Sequence, residues 1–348
     1  MHLHTDISGQ GEPLVLIHGL FGSYENLGMI ARQLADSFKI INVDLRNHGK
    51  SAHLPTMNYQ EMAEDVLETL DSLGIESAFV LGHSMGGKVA MQIALTAQHR
   101  VKKLILADIS PVETAPRHVI ILKALADLPI AALSDRREAE PILAQSVEEP
   151  AVRQFLLKNL LKVDGRLQWR FNLSALTANY SQILAAPSAT GQYLGPVLFI
   201  KGGDSDYIQP SHQPIILAMF PQAKAKIIQG TGHWLHAEKP AAFAKIVRDF
   251  FIELAQQLFL ALCAIVRAFF LKVDIMLHQY MAQIEASALW ICLSILFFLI
   301  GMAIHDVLKK GEVPLFGRIF VWIVLFLGCA GFLAKGVIQF IYESKGLG

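Results

Sequence analysis

The sequence predicts an α/β fold in which helices cover both faces of a mostly parallel sheet. Short apolar runs of strand length, such as residues 14–17 and 40–43, alternate with longer segments of helical periodicity. These runs are apolar at nearly every position, which is typical of parallel strands buried on both faces. With 348 residues, the chain is long enough for one sizeable domain of this kind and an appendage.

The first part of the chain contains the elements from which this sheet is expected to form. In residues 59–73, Met62, Val66 and Leu70 recur on one face of an amphipathic helix, and Gly74 ends that helix. The expected elements are, in order, a strand at 14–17, a helix at 26–35, a strand at 40–43, a helix at 59–73, a strand at 78–81, a helix at 88–95 and a strand at 104–107.

The alternation of predicted strands and helices stops in the middle of the domain. Residues 111–188 contain no strand-like run, and short helices are expected at 117–128, 134–145, 151–161 and 175–184. Apolar strand-like runs return at 197–200 and 225–228, and a last helix is expected at 241–254. We therefore expect a helical lid at about 112–190, inserted between two strands of the sheet.

The motif Gly82-His83-Ser84-Met85-Gly86 lies between a predicted strand and a predicted helix. In this context Gly-x-Ser-x-Gly predicts a nucleophile elbow, a turn so tight that the serine adopts a strained backbone. Gly82 and Gly86 are small because the ends of the strand and the helix approach closely. We therefore expect Ser84 to present its hydroxyl at the edge of the sheet as a nucleophile.

A serine hydroxyl needs a base to remove its proton, and the base needs an acid to orient it. His233 lies in a glycine-rich loop after the last predicted strand and is the expected base. Asp108 follows the predicted strand 104–107, at the edge where parallel strands end and ligands bind. Asp108 is therefore the favoured acid.

An alternative position for the acid is the loop after residue 200. The residue three positions beyond Gly202 is Ser205, which is not an acid, but Asp204 and Asp206 flank it. Asp204 and Asp206 therefore stay open as alternatives, and Ser205 is an expected auxiliary hydrogen-bond donor to the histidine or the acid.

Developing negative charge on a substrate oxygen requires two backbone N–H donors. Met85 follows the nucleophile directly and supplies one expected donor. The loop that follows strand 14–17 begins with His18-Gly19-Leu20, and Leu20 is the expected second donor.

Five motifs carry a resemblance to a known family. They are His18-Gly19-Leu20-Phe21-Gly22-Ser23, Asp44-Leu45-Arg46-Asn47-His48-Gly49-x-Ser51, Gly82-His83-Ser84-Met85-Gly86-Gly87-Lys88, Gly202-x-x-Ser205-x-Tyr207 and Gly232-His233-Trp234. In this order they resemble the YbfF-type esterases of the α/β-hydrolase superfamily, over about residues 10–254. The lid segments 154–158 and 169–172 resemble the same family.

The resemblance implies an α/β-hydrolase fold with a helical lid and a serine carboxylic ester hydrolase that needs no cofactor. It supports Asp108 as the acid and implies acyl esters as substrates, with thioesters of coenzyme A also implied. We expect the acyl pocket to be lined by Phe155, Leu156, Trp169, Phe171 and Trp234. Two alternatives stay open, namely a lyase of menaquinone synthesis on the same fold and a membrane adaptor that binds a ligand without catalysis.

The C-terminal part is much more apolar than the rest. Residues 287–305 and 319–342 have membrane-spanning length, and a short loop containing Lys309, Lys310 and Arg318 separates them. The sequence therefore predicts a transmembrane helical hairpin at 286–348, in the inner membrane with the lipid bilayer as partner. This part resembles a family of small two-span bacterial inner-membrane proteins of uncharacterised function.

The expected organisation is thus a hydrolase domain at 1–254, an apolar interfacial linker or additional span at 255–285, and the hairpin at 286–348. A basic hairpin loop favours the cytoplasm and would export the first domain unless residues 255–285 cross as a third span. The N-terminus has no signal-peptide pattern, so the hydrolase domain is expected in the cytoplasm.

Composition excludes several other functions. The formal net charge is zero, which removes the electrostatic basis for nucleic-acid binding. All three cysteines follow residue 255, so the first domain is expected to lack disulfides and thiolate metal sites. No spacing of histidines and acidic residues predicts a metal site.

Overall fold

The computed structural model describes residues 1–252, 286–311 and 313–344, and the chain divides into two compact units, Met1–Ile252 and Glu253–Gly348. The expected linker or additional span at 255–285 lies outside the described residues. Each unit is described separately below.

The first unit is built on a seven-stranded sheet. Its strands are β1 (Thr5–Ser8), β2 (Glu12–Ile17), β3 (Phe38–Val43), β4 (Ala78–His83), β5 (Val101–Ala107), β8 (Val197–Gly202) and β9 (Ala223–Ile228). Their order across the sheet is β1-β3-β2-β4-β5-β8-β9. Strand β1 is antiparallel to β3, and all the other neighbours in this sheet are parallel, so the predicted mostly parallel α/β sheet is confirmed.

Helices cover both faces of this sheet. One face packs against α1 (Gly28–Leu34) and α11 (Pro240–Phe251), whose side chains share a buried apolar cluster with β2 and β5. The opposite face packs against α2 (Tyr59–Ser72) and α3 (Met85–Thr96). The other helices outside the insertion between β5 and β8 are α9 (Gln213–Met219) and α10 (Leu235–Glu238).

The central strands are apolar at successive positions because neither face meets water. Residues 14–17 of β2 and 104–107 of β5 have no exposed surface. Burial on both faces removes the alternation of polar and apolar residues found in half-exposed strands. Because β2, β4 and β5 are parallel, their carboxyl ends lie at the same edge of the sheet. Burial of these strands on both faces holds that edge in place.

A lid of short helices with a small hairpin is inserted between β5 and β8. Its helices are α4 (Val119–Asp127), α5 (Arg136–Leu143), α6 (Pro150–Leu157), α7 (Leu173–Ala178) and α8 (Tyr180–Leu184). The expectation of a lid without strands was wrong, because β6 (Leu160–Val163) and β7 (Arg166–Trp169) form an antiparallel pair. The turn is Asp164-Gly165 with φ of 49° and 80°, and Asp-Gly with both φ values positive is a strong local hairpin signal.

The lid is fastened to the core by asparagine side chains and backbone groups. The side-chain amide of Asn159 donates to the Phe21 carbonyl at 2.9 Å. The backbone N–H of Asn172 donates to the Asn47 carbonyl, also at 2.9 Å. These bonds connect the lid to the loops after β2 and β3, the same edge of the sheet that carries Ser84.

The loop after β3 is organised by a buried carboxylate. Asp44 accepts hydrogen bonds from the Tyr24 N–H at 2.7 Å and from the Lys50 N–H at 2.9 Å. Its own carbonyl accepts from the Ser51 hydroxyl at 2.7 Å. Gly49 has φ +57°, and a Cβ atom there would lie 2.1 Å from the Asp44 carboxyl carbon. The Asp44–Ser51 motif therefore has a structural explanation.

In the second unit, the described residues 286–311 and 313–344 form two helices, α12 (Ala286–Lys310) and α13 (Leu315–Ser344). Among the helices that the structure describes, none has an apolar segment long enough to cross a lipid bilayer. The expected transmembrane hairpin is therefore not supported, and neither are its inner-membrane location and its bilayer partner. Lys335 lies inside the second of the two apolar segments, while Asp306, Lys309, Lys310 and Arg318 lie between them.

We predict that Gly49→Ala lowers the free energy of unfolding by about 3 kcal/mol or more, because left-handed strain is added to a collision with the Asp44 carboxylate. Gly74 is the matched control, since its φ is +68° but no atom lies within 4 Å of the position that a Cβ would occupy there. Gly74→Ala should cost only the strain, about 1–2 kcal/mol. Urea unfolding of the full chain, followed by circular dichroism, measures both, and equal losses would contradict the explanation.

Candidate active site

Ser84 occupies the sharp turn between β4 and α3. Its backbone has φ 53° and ψ −122°, a strained combination for a residue other than glycine. A Cβ atom at Gly82 would lie 2.2 Å from the Gly86 carbonyl oxygen, and one at Gly86 would lie 2.3 Å from the carbonyl oxygen of Ile17. The turn can close only because both positions are glycine, as the elbow motif predicts.

Three side chains from distant parts of the sequence form a hydrogen-bonded chain at this edge. Nε2 of His233 lies 2.9 Å from Oγ of Ser84, and Nδ1 of His233 lies 2.7 Å from Oδ2 of Asp108. A carboxylate can only accept, so Nδ1 carries the proton and Nε2 is left to accept the serine proton. The structure thus brings together the serine, histidine and aspartate singled out from the sequence.

The Asp108 carboxylate is fully buried, and donors surround it. The N–H of Gly202 donates to Oδ1 at 3.0 Å, and the Ser205 hydroxyl donates to Oδ2. The Asp108 backbone has φ +50° at the end of β5, and its N–H donates to the Ile200 carbonyl at 2.8 Å. Ser205 lies where the expected auxiliary donor was placed, and it contacts the acid.

The two alternative acids lie elsewhere. Asp206 forms a two-point ion pair with Arg117 of the lid, with N–O distances of 2.6 and 2.8 Å. That hydrogen bonding with Arg117 lowers the pKa of Asp206. Asp204 is exposed, and its N–H donates to the Thr231 carbonyl at 2.9 Å. Neither carboxylate is hydrogen bonded to the imidazole of His233.

The loop after β2 lies directly against the nucleophile. A Cβ atom at Gly19 would be 3.2 Å from the Cβ of Ser84, so the two backbones approach closely there. Leu20 follows Gly19, Met85 begins α3, and both residues line the cavity beside Ser84. The two residues expected to supply the N–H donors therefore line the same cavity as Ser84.

His18 holds this loop in place as a neutral ring. Its Nδ1 donates to the Gly19 carbonyl at 2.8 Å, while its Nε2 accepts from the Leu45 N–H at 3.1 Å. Burial lowers the pKa of His18 to about 4. His18 therefore has a structural part in connecting the loops after β2 and β3.

Two side chains that sequence reasoning left without a role support His233. Nε2 of His83 donates to the backbone carbonyl of His233 at 2.8 Å, and burial keeps the pKa of His83 well below its ordinary value. The Tyr207 ring stacks on the His233 imidazole with centroids 3.8 Å apart and planes inclined by 13°. Both residues lie within the sequence motifs quoted above, but their contacts depend on the folded arrangement.

The structure places the five expected acyl-pocket residues in or against the apolar core. Leu156 and Phe171 are buried in the core, and Phe171 packs between Phe21 and Trp169, with ring centroids 5.4 and 5.2 Å away. The Phe155 and Trp234 rings lie 6.0 Å apart. The apolar side chains of these residues pack the lid onto the core. None of the five residues expected in the acyl pocket is among those that line the cavity containing Ser84. Among the residues that do line it are Leu20, Tyr59, Met85, Lys88, Ile109 and His118.

Comparison with known proteins gives two family matches. A model of the alpha/beta hydrolase fold matches residues 12–240. Residues 292–342 match a family described as a protein of unknown function (DUF2788). The two matches fall in different parts of the chain, so whatever the first family implies applies to the first part alone.

Several relatives resemble the first part of the chain. Esterase YbfF of Escherichia coli (strain K12) is 44% identical over 239 residues, which are 68% of this chain and 92% of that protein. The sn-1-specific diacylglycerol lipase ABHD11 of Mus musculus is 39% identical over 246 residues, covering 68% of this chain and 80% of the lipase. Among solved structures, a marine microorganism esterase has a TM-score of 0.70 and 38% identity, and the match covers 72% of this chain and 99% of the esterase.

We predict that Ser205→Ala slows the reaction of Ser84 with a fluorophosphonate probe by about tenfold, because the Asp108 carboxylate loses one of its donors. Exposed Ser181 on α8 is the control, and Ser181→Ala should leave the rate unchanged. The second-order labelling rate, measured by mass spectrometry of the intact chain, provides the comparison. Equal labelling rates for all three proteins would show that the Ser205 hydroxyl does not contribute to the reactivity of Ser84.

Proposed function

This chain belongs to the alpha/beta hydrolase fold family and is a carboxylic ester hydrolase, and from that premise we propose that Ser84, Asp108 and His233 are its catalytic triad. The observation that carries the proposal is the continuous hydrogen-bonded chain from the buried carboxylate through the imidazole to the hydroxyl. The order serine, acid, histidine along the sequence agrees with it.

The first step forms an acyl-enzyme. Oγ of Ser84 bonds to the ester carbonyl carbon while Nε2 of His233 accepts the hydroxyl proton. The carbonyl electron pair moves onto oxygen, and the backbone N–H groups of Leu20 and Met85 stabilise that oxyanion. Donors of this kind contribute about 2.7–4 kcal/mol each to transition-state stabilisation. The bond to the leaving alcohol then breaks, and His233 returns the proton to the alcohol oxygen.

The second step releases the acid. A water molecule loses a proton to His233 and attacks the acyl carbon, and the bond to Oγ breaks as Ser84 recovers its proton. Asp108 stays ionised throughout and stabilises the imidazolium that forms in each half of the reaction. Burial of Asp108 among three donors suits this task, because the charge is held in one orientation without rearrangement.

Acyl esters are the proposed substrates, in keeping with relatives named esterase and diacylglycerol lipase. The same chemistry extends to acyl-CoA thioesters. A thiolate is a better leaving group than an alkoxide, so its departure depends less on protonation by His233. A series of ethyl esters and acyl-CoAs of increasing chain length, compared by kcat/KM, tests this extension. Ester hydrolysis without any thioester hydrolysis would limit the function to oxygen esters.

We predict that Ser84→Ala abolishes ester hydrolysis and labelling by a fluorophosphonate, because the nucleophilic oxygen is removed. A loss of at least about 10³-fold in kcat is expected, since only binding and oxyanion stabilisation remain. Peptide mapping of the labelled wild-type chain should place the phosphonate on Ser84. Label on another residue, or hydrolysis retained in Ser84→Ala, would contradict the proposed nucleophile.

We predict that Asp108→Asn lowers kcat by about 10³–10⁴-fold, because an amide at this position favours the wrong imidazole tautomer. Asp206→Asn is the matched control, since Asp206 pairs with Arg117 and does not contact His233. It should change kcat by less than about threefold, because the median exposed ion pair contributes little. If Asp206→Asn or Asp204→Asn showed the large loss of kcat and Asp108→Asn kept the wild-type value, the assignment of the acid would be wrong.

A further inference from the structure

Lys88 is a buried cation beside the proposed nucleophile that the mechanism above does not use. It lies four residues after Ser84 on α3, its side chain is 1% exposed, and it lines the same cavity. Ser84 is the N-cap residue of α3, and the Lys88 N–H donates to the Ser84 carbonyl at 3.3 Å, so the two residues are neighbours at the start of the helix. A buried ammonium group is costly unless hydrogen-bond acceptors or an anion compensate its charge.

The partners of this ammonium are neutral. Nζ donates to the carbonyl oxygens of Leu184 at 2.9 Å and Ala185 at 2.7 Å, and it lies 5.7 Å from the ring centroid of Tyr59. Within residues 1–252, no carboxylate forms an ion pair with it. Burial lowers the pKa of Lys88 to about 7, and Glu113 opposes that shift.

The protonated amine has three N–H donors, and the two carbonyls take two of them. We propose that Lys88 makes the enzyme selective for monoesters of short dicarboxylic acids, by binding the free carboxylate of the acyl chain through its ammonium group. The inference rests on the proposed function of Ser84. The bonds that form and break are those of ordinary hydrolysis, and the products are the dicarboxylic acid and the alcohol.

The spacing limits the length of the acyl chain. Lys88 follows Ser84 by about one helical turn, and both residues line the same cavity, so the acyl group that bridges Oγ and the ammonium must be short. Succinyl and glutaryl groups meet this requirement. An alkyl chain of the same length places apolar atoms against the ammonium and offers no acceptor to its third N–H.

The test compares monoethyl glutarate with ethyl 5-methylhexanoate, in which two methyl groups replace the two carboxylate oxygens. Ethanol release at pH 7 gives kcat/KM for each ester, and the ratio of the two does not depend on the fraction of folded enzyme. The wild type should favour the glutarate, and Lys88→Met should lower the ratio by about tenfold, as loss of a hydrogen bond between charged groups implies. Lys123→Met, which changes a lysine on the lid surface that is 76% exposed, is the control and should keep the wild-type ratio.

Lys88→Gln is a second variant that keeps a donor but removes the charge, and it should also lose the preference. If Lys88 only fastened the lid to α3, both esters would slow equally in the variants and the ratio would stay within threefold, which would overturn the inference. That result leaves the proposed nucleophile intact. Hydrolysis of both esters by Ser84→Ala, in contrast, would show that the proposed function itself is wrong.

Discussion

The close approach between the first turn of α3 and the end of β2 is the constraint on which the site depends. Gly86 meets the backbone of Ile17, and Gly82 meets Gly86, at distances that leave no room for a side chain. Because these contacts close the elbow, Ser84 takes a left-handed backbone and presents Oγ at the edge of the sheet. The loop containing Leu20 lies against Ser84 at the start of α3, so Ser84 and the two residues expected to supply N–H donors line one cavity.

The other half of the site depends on a buried charge. Asp108 lies at the end of β5, and each of its carboxylate oxygens accepts from at least one donor, so its orientation is set before a substrate arrives. His233 is held from three directions by Asp108, by the stacked Tyr207 ring and by His83 on its backbone carbonyl. The proposed acid and base are therefore preorganised by groups that do not touch the reacting atoms, which lowers the reorganisation needed during the proposed reaction.

The lid is where prediction from the sequence was least successful. Its helices were expected, but β6 and β7 were not, although Asp164-Gly165 is a local signal for the turn between them. The aromatic and aliphatic lid residues were expected in the acyl pocket, yet Leu156 and Phe171 pack the lid onto the core. An apolar residue serves equally well in a pocket and in a core, so composition cannot distinguish the two. The C-terminal hairpin was expected to cross a membrane, and the described helices do not support it.

The sequence by itself determined the α/β class, the positions of the core strands along the chain and the elbow at Ser84, because apolar runs and glycine positions act through local sterics and hydrophobic burial. It also pointed to His233 and Asp108, since residues that follow parallel strands gather at one edge of the sheet. Only the tertiary structure decided that Ser205 contacts Asp108, that Asp206 pairs with Arg117 instead, and that Lys88 lies in the cavity. These contacts join residues far apart in the chain, and side-chain packing, which no local pattern records, selects among them.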